Sequence, residues 1–177
     1  DAVVIDATTD DSFGVNGSRP AIILDGNNAF TGDGPVLAGT ADGSTIRGLV
    51  IRDFSGDGIE IQAGSDNHTI AGNYIGRLTA TGTDAGAAEA NNGRGIEVFG
   101  AGNTIGGLTA ADRNIVAGNT NDGIALDGAS AHDNVVLGNF VGINGSGVAT
   151  LGNSAQGVYV GAGAANNTIG GTVTGAA

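Results

Sequence analysis

The sequence predicts an all-β solenoid, a stack of short parallel strands wound coil on coil, and three observations carry that expectation. A short strand motif recurs along the chain: Ser44-Thr45-Ile46-Arg47-Gly48, His68-Thr69-Ile70-Ala71-Gly72, Asn103-Thr104-Ile105-Gly106-Gly107, the looser Asn134-Val135-Val136-Leu137-Gly138, and Asn167-Thr168-Ile169-Gly170-Gly171. A second motif, a glycine followed by apolar residues alternating with one variable residue, recurs in the same order: Gly58-Ile59-Glu60-Ile61, Gly95-Ile96-Glu97-Val98, Gly123-Ile124-Ala125-Leu126 and Gly157-Val158-Tyr159-Val160. Glycine supplies 35 of 177 residues without a Gly-X-Y period, as many tight turns between narrow strands require.

Composition bounds what such a solenoid does. The length suffices for one domain with a real core, and the recurring Ile and Val runs argue against a disordered tract. The net charge is −12, all six basic residues are arginine, and lysine is absent. An acidic stacked surface repels nucleic acid and anionic membranes, so both are set aside as partners. It attracts divalent cations and favours solubility. Without cysteine there is no disulfide framework and no thiolate metal site. No apolar run reaches the ~18 residues of a membrane span. Asp1-Ala2-Val3-Val4-Ile5-Asp6 lacks the pattern of a signal peptide, so any targeting segment lies outside these residues.

In chain order, residues 1–35 are expected as an irregular N-terminal coil or cap. Val3-Val4-Ile5 and Ala21-Ile22-Ile23-Leu24 read as strands, Thr8 to Pro20 as a loop or edge excursion, and Asp25-Gly26-Asn27-Asn28 as a turn. The first legible coil runs from Thr45 to Asp66. It holds one strand from Thr45 to Ile51, then Phe54, a turn through Ser55-Gly56-Asp57-Gly58, the strand Ile59-Glu60-Ile61, and a turn through Gly64, Ser65 and Asp66. Ile46 to Ile70 spans 24 residues, which fits three short strands and three turns.

Later coils are longer, with spacings of 35, 31 and 33 residues through Ile105, Val136 and Ile169. The extra residues fall at Arg77–Asn92, Leu108–Arg113 and Ile143–Gln156. The first and third precede the Gly-Ile or Gly-Val strand, so they should emerge on the same side. Within that strand Ile59, Ile96, Ile124 and Val158 should form one inward file, and Ile61, Val98, Leu126 and Val160 a second. Glu60, Glu97, Ala125 and Tyr159 should form an outward row. No helix-period stripe exceeds two turns, and glycine is spread too widely for helix. Thr172 to Ala177 does not resemble a cap. The chain therefore reads as one β-helix domain over residues 1–177, of about six coils with loop insertions, belonging to a longer array or packing by its ends on other chains.

Several stretches carry a family resemblance. They are Val4-Ile5-Asp6-Ala7-Thr8-Thr9, Pro20-Ala21-Ile22-Ile23-Leu24-Asp25-Gly26, Ile46-Arg47-Gly48-Leu49-Val50-Ile51, Phe54-Ser55-Gly56-Asp57-Gly58-Ile59, Ile70-Ala71-Gly72-Asn73-Tyr74-Ile75-Gly76, Arg113-Asn114-Ile115-Val116-Ala117-Gly118-Asn119 and Gly138-Asn139-Phe140-Val141-Gly142. Together with the Asn103 motif they resemble the repeats of the pectate-lyase-like superfamily, and more narrowly those of very large bacterial surface and secreted proteins. The resemblance implies a right-handed single-stranded parallel β-helix. It implies little about activity, because the fold carries lyases, hydrolases, epimerases, adhesins and inert stalks. Lyases of the superfamily combine a carboxylate cluster for calcium with a basic proton acceptor. This chain has no lysine and no dense aspartate cluster.

Candidate residues fall into a few groups. Asn73, Asn119 and Asn139 each follow a glycine and are expected as a structural ladder of stacked amides, whereas Asn67, Asn103, Asn134 and Asn167 are expected to serve turns. Asp57, Arg94, Asp122 and Gln156 precede the strand glycines and should stack, with Arg94 between two aspartates; a lyase-like or glycosidase-like reading would use Asp57 and Asp122 as acid and base. Glu60 and Glu97, adjacent on the outward row, could share a calcium ion. With Asp57, Asp122 and Tyr159 they are the candidate cation or glycan contacts. His68 and His132 lack zinc spacing and a nucleophile. Thr79, Thr81 and Thr83 alternate within a single loop.

The functional expectation is a non-catalytic extracellular module, secreted or at the cell surface, that stiffens, spaces or displays parts of an adhesive or filament-forming protein. Its partners would be its own copies stacked end to end, or neighbouring domains. No cofactor is required by this expectation, and calcium is the one candidate. The competing expectation, from another class, is a polysaccharide-binding or polysaccharide-degrading β-helix of lyase or hydrolase type.

Overall fold

Each coil of the chain makes three short strands, and like strands of successive coils pair in parallel, which gives a parallel β-helix. The computed structural model describes residues 1–27, 31–39 and 41–171. Asn28 of the expected turn, and the tail from Thr172 to Ala177, lie outside the described residues. The first coil holds β1 (Val4–Asp6), β2 (Ile22–Asp25) and β3 (Val36–Leu37). The second holds β4 (Thr45–Arg47), β5 (Leu49–Arg52) and β6 (Ile59–Ile61). The third holds β7 (Thr69–Ala71), β8 (Tyr74–Gly76) and β9 (Ile96–Val98). The fourth holds β10 (Thr104–Gly106), β11 (Ile115–Ala117) and β12 (Ile124–Asp127). The fifth holds β13 (Val135–Leu137), β14 (Phe140–Val141) and β15 (Val158–Gly161), and β16 (Thr168–Ile169) opens a sixth. The first sheet runs β1-β4-β7-β10-β13-β16, the second β2-β5-β8-β11-β14 and the third β3-β6-β9-β12-β15.

Within the stretch expected as an irregular N-terminal coil or cap, Val4–Asp6 and Ile22–Asp25 are regular rungs that pair in register with β4 and β5. The expected loop from Thr8 to Pro20 holds a short helix, α1 (Asp11–Val15), with the Asp10 side chain accepting from Ser12 N–H at its start. The expected single strand from Thr45 to Ile51 is two strands in different sheets. Gly48, at φ 76°, turns the corner between them, and a Cβ there would run into Thr8 and Ala7 of the coil below.

The interior is a set of aliphatic files. Ile59, Ile96, Ile124 and Val158 stand in register, as do Ile61, Val98, Leu126 and Val160. Ile46, Ile70, Ile105 and Val136 make the matching file of the first sheet, and Ile51, Ile75, Val116 and Val141 that of the second. At about 25 cal/mol per Å2, such burial supplies the main drive to stack.

A second, smaller core lies outside the helix, on the outer face of the second sheet. Val50, Tyr74, Ile115 and Phe140 form an outward file there, and Leu78 and Leu151 from the two long insertions cover it. Those insertions, at Arg77–Asn92 and Ile143–Gln156, leave the same side of the stack and touch: Gly145 N–H donates to the Gly82 carbonyl at 2.8 Å.

The corners are held by buried polar columns. Between the first and second sheets, Asn73, Asn114 and Asn139 stack: Asn114 Oδ1 and Asn139 Oδ1 each accept both the backbone N–H and the Nδ2 of the asparagine one coil earlier, and Asn73 Oδ1 accepts the Leu49 N–H. Between the second and third sheets the column is Asn91, Asn119 and Asn153. Asn119 therefore stands at a different corner from Asn73 and Asn139, although all three follow glycine. Between the third and first sheets, Ser44, His68, Asn103, Asn134 and Asn167 stack, so the last three are column residues and not turn residues. The turns before them fall to Asn67, Asp133 and Asn166 at φ 61°, 56° and 56°, residue types that tolerate the left-handed region.

His68 is the one titratable member of these columns. Ser44 N–H donates to its Nδ1, so the neutral ring carries its proton on Nε2, facing the Ser65 hydroxyl. Burial pushes its pKa below 6.5, against nearby Asp42 and Asp66. The unfolded chain then takes up the proton first, so this part of the stability is full above about pH 6.5 and falls as pH drops through the folded pKa. His68→Asn, which supplies the same acceptor, should flatten the pH dependence of urea unfolding between pH 5 and pH 7 at a cost of about 1 kcal/mol from the Ser65 hydroxyl. An unchanged slope would contradict the assignment.

Candidate functional site

The chemically equipped surface is the turn before the third sheet and that sheet's outward face. Asp33, Asp57, Arg94, Asp122 and Gln156 occupy the same position in successive coils, each just before the strand glycine. The carboxylates do the work of the asparagines elsewhere. Asp33 Oδ1 accepts Asp57 N–H at 2.6 Å, Asp57 Oδ1 accepts Arg94 N–H at 2.6 Å, and Asp122 Oδ1 accepts Gln156 N–H at 2.9 Å. Asp57 and Asp122 are both buried. On the face itself, Glu60, Glu97, Ala125 and Tyr159 stand in one outward row.

This row divides into two clusters. Arg94 organises the first: its guanidinium pairs with Glu97, with Asp122 Oδ2 at 3.1 Å and with Asp127 at 3.4 Å, and lies 5.6 Å from the Tyr159 ring centroid. It therefore spans the row over Ala125, which is fully buried although it points outward. The Arg94 side chain keeps 20% of its exposure, Glu97 12%, Asp127 18% and Asp122 4%, so these pairs are largely shielded from solvent. Glu97 and Glu60 are neighbours by register, but Glu97 is taken up by Arg94 and does not converge with Glu60.

The second cluster is Asp33, Asp57 and Glu60, with one carboxylate oxygen from each within 4.8 Å of the others. Burial pushes the Asp57 pKa up, helped by Asp33 and opposed by Arg94; burial likewise raises Glu60, helped by Asp33 and Asp57. Folded pKa values above the unfolded ones favour the fold below the ordinary carboxylate range. That contribution is lost as pH rises through the raised values. Asp33 and Asp57 each accept a backbone N–H through Oδ1, which offsets part of the mutual repulsion of the trio.

Asp57 and Asp122 do not face each other across a substrate position. They belong to coils two apart with Arg94 between them, and each has an oxygen committed to a backbone N–H. Tyr159 stacks on Arg94. His132 pairs with the adjacent Asp133 at 2.8 Å, and the Thr79, Thr81 and Thr83 hydroxyls bond one another at their loop. Asp33, Asp127, Asn91, Asn114 and Asn153 were not singled out from sequence. Asp33-Gly34 repeats the Asp57-Gly58 dipeptide and could have revealed the first; Asp127 follows its strand with no repeated partner.

Comparison with protein-family models, with curated proteins and with solved structures gives no match. The fold and the geometry of these clusters therefore carry the functional reading.

Replacing the organiser of the first cluster should show how much it holds. Arg94→Met strands Glu97, Asp122 and Asp127 and is expected to lower stability at pH 7 by about 2–4 kcal/mol in urea unfolding. A loss below about 0.5 kcal/mol would mean that the cluster is an ordinary surface network.

Proposed function

We propose that this chain is a non-catalytic structural and adhesive repeat module of a secreted or cell-surface protein, with its family affinity among the parallel β-helix repeats of the pectate-lyase-like superfamily. The observation that supports this most is where the polar side chains go. Asparagines, the column aspartates and Arg94 bond along the stack to the next coil, which makes a stiff rod and leaves few convergent groups for chemistry. The joined insertions at Arg77–Asn92 and Ile143–Gln156 offer a contact surface that the rod holds out. Incubation with acidic and neutral polysaccharides should release no product from the chain or from its Asp57→Asn and Asp122→Asn variants. Turnover by the parent chain that either variant abolishes would overturn this reading in favour of a polysaccharide-active domain.

The partner proposed for the end rungs is a second copy of the chain. Val4 and Val36 on the first coil are 69% and 41% exposed, and Val160 and Ile169 on the last strands are 45% and 51% exposed. Thr168 and Gly170 donate their N–H groups inward to β13, so the Ile169 N–H points along the axis, away from the stack. Among the described residues no strand pairs with this apolar edge, and an edge of this kind templates a further strand. Ile169→Pro removes that outward donor without touching an inward bond. It should abolish concentration-dependent association in sedimentation, and undiminished association would exclude stacking through this edge.

A further inference from the structure

A third acidic cluster lies away from the face described above, at the corner between the second and third sheets. Asp25 ends β2, Asp53 follows β5, and Glu89 ends a short 3-10 turn, Ala87–Glu89, in the first long insertion. One carboxylate oxygen from each lies within 4.8 Å of the others.

Clustered acids alone mean little, but Asp53 is unlike its neighbours. It is only 6% exposed, and its Oδ1 is fully buried with no hydrogen-bond donor among the described residues. Arg52, next to it in the chain, does not serve it: that guanidinium pairs with Asp25 at 3.0 Å and Glu89 at 3.2 Å. Asp53 also sits at φ 58° at a corner position that Gly118 fills two coils on. A buried carboxylate oxygen without a donor is strongly unfavourable, and native structures seldom leave one so.

The charge and the spacing say what would satisfy it. Three carboxylates against one guanidinium leave two negative charges, the complement of a divalent cation. With one oxygen from each within 4.8 Å of the others, a single hard cation can bridge all three, and an irregular corner built of carboxylates suits calcium, which accepts flexible oxygen geometries, better than magnesium, which demands a near-ideal octahedron and keeps its waters. A donor set made only of oxygen does not favour zinc. We propose that Asp25, Asp53 and Glu89 bind one calcium ion. The ion would tie the first coil to the second and to the insertion that leaves the third. The Asp33–Asp57–Glu60 trio is different, because its two aspartates already accept backbone N–H groups.

The test uses the full chain stripped with chelator, followed by thermal unfolding and calorimetric titration with calcium chloride, and with magnesium chloride as control. Calcium should raise the melting temperature by several degrees and saturate a site that Asp53→Asn removes, while magnesium should do much less. Asp53→Asn should be at least as stable as the parent chain in chelator, since it removes a buried charge, and should lose the calcium response. Glu60→Gln should keep it. If Asp53→Asn does not fold, Glu89→Gln takes its place with the same expected loss. No calcium response in the parent chain, an unchanged response in Asp53→Asn, or a response lost only in Glu60→Gln would each overturn the proposal.

Discussion

Every coil of this molecule turns three corners, and at each corner the backbone leaves one sheet before it joins the next. The N–H groups there are buried and have no ladder partner of their own. The structure depends on side chains from the adjoining coil to accept those hydrogens. Asparagine suits the task because its Oδ1 accepts while its Nδ2 donates onward to a carbonyl or to the next amide. Asn114 shows the unit complete: Oδ1 accepts from Asn73, and Nδ2 donates to the Ile70 carbonyl at 2.7 Å and to Asn139 Oδ1 at 3.0 Å. Aliphatic files alone would allow a coil to slide or rotate; the amide columns fix its register.

The same constraint explains the substitutions within the columns. Ser44 and His68 stand where the later coils have asparagine, and Asp33, Asp57 and Asp122 perform the accepting half of the function at the turn before the third sheet. A carboxylate accepts well but brings charge. Where Arg94 stands in the column, that charge is neutralised; where Asp33, Asp57 and Glu60 crowd together, it is not. The electrostatic character of the surface thus follows from which residue type fills a structural position.

Much of this was legible in the sequence, and the reasons for the rest are physical. The strand after each glycine alternates between an aliphatic residue (Ile, Val or Leu) and a variable one, so the files through Ile59 and Ile61 and the row through Glu60 could be read directly. The division at Gly48 could not, because Thr45 to Ile51 looks like one continuous run and only the left-handed glycine bends it. Asn73 and Asn119 share the preceding glycine, so local context could not assign them to different corners. The outer core of the second sheet was hidden because its cover arrives from insertions distant in sequence. The consecutive apolar pairs Val50-Ile51, Tyr74-Ile75 and Ile115-Val116 were its trace, since a strand buried on both faces loses its alternation. The Arg94 cluster was half visible: the stacking of Asp57, Arg94 and Asp122 could be inferred, but not the reach of Arg94 to Glu97, Asp127 and Tyr159.

The central claim, that the corner columns hold the stack as firmly as the strands do, is tested most directly by native-state hydrogen exchange resolved to single amides. The N–H groups of Asn73, Asn103, Asn114, Asn119 and Asn134 should be protected as strongly as those of Ile59, Ile96 and Ile124, and should open with them in one cooperative event. Corner amides that exchange as freely as loop amides while the strand amides stay protected would contradict the account.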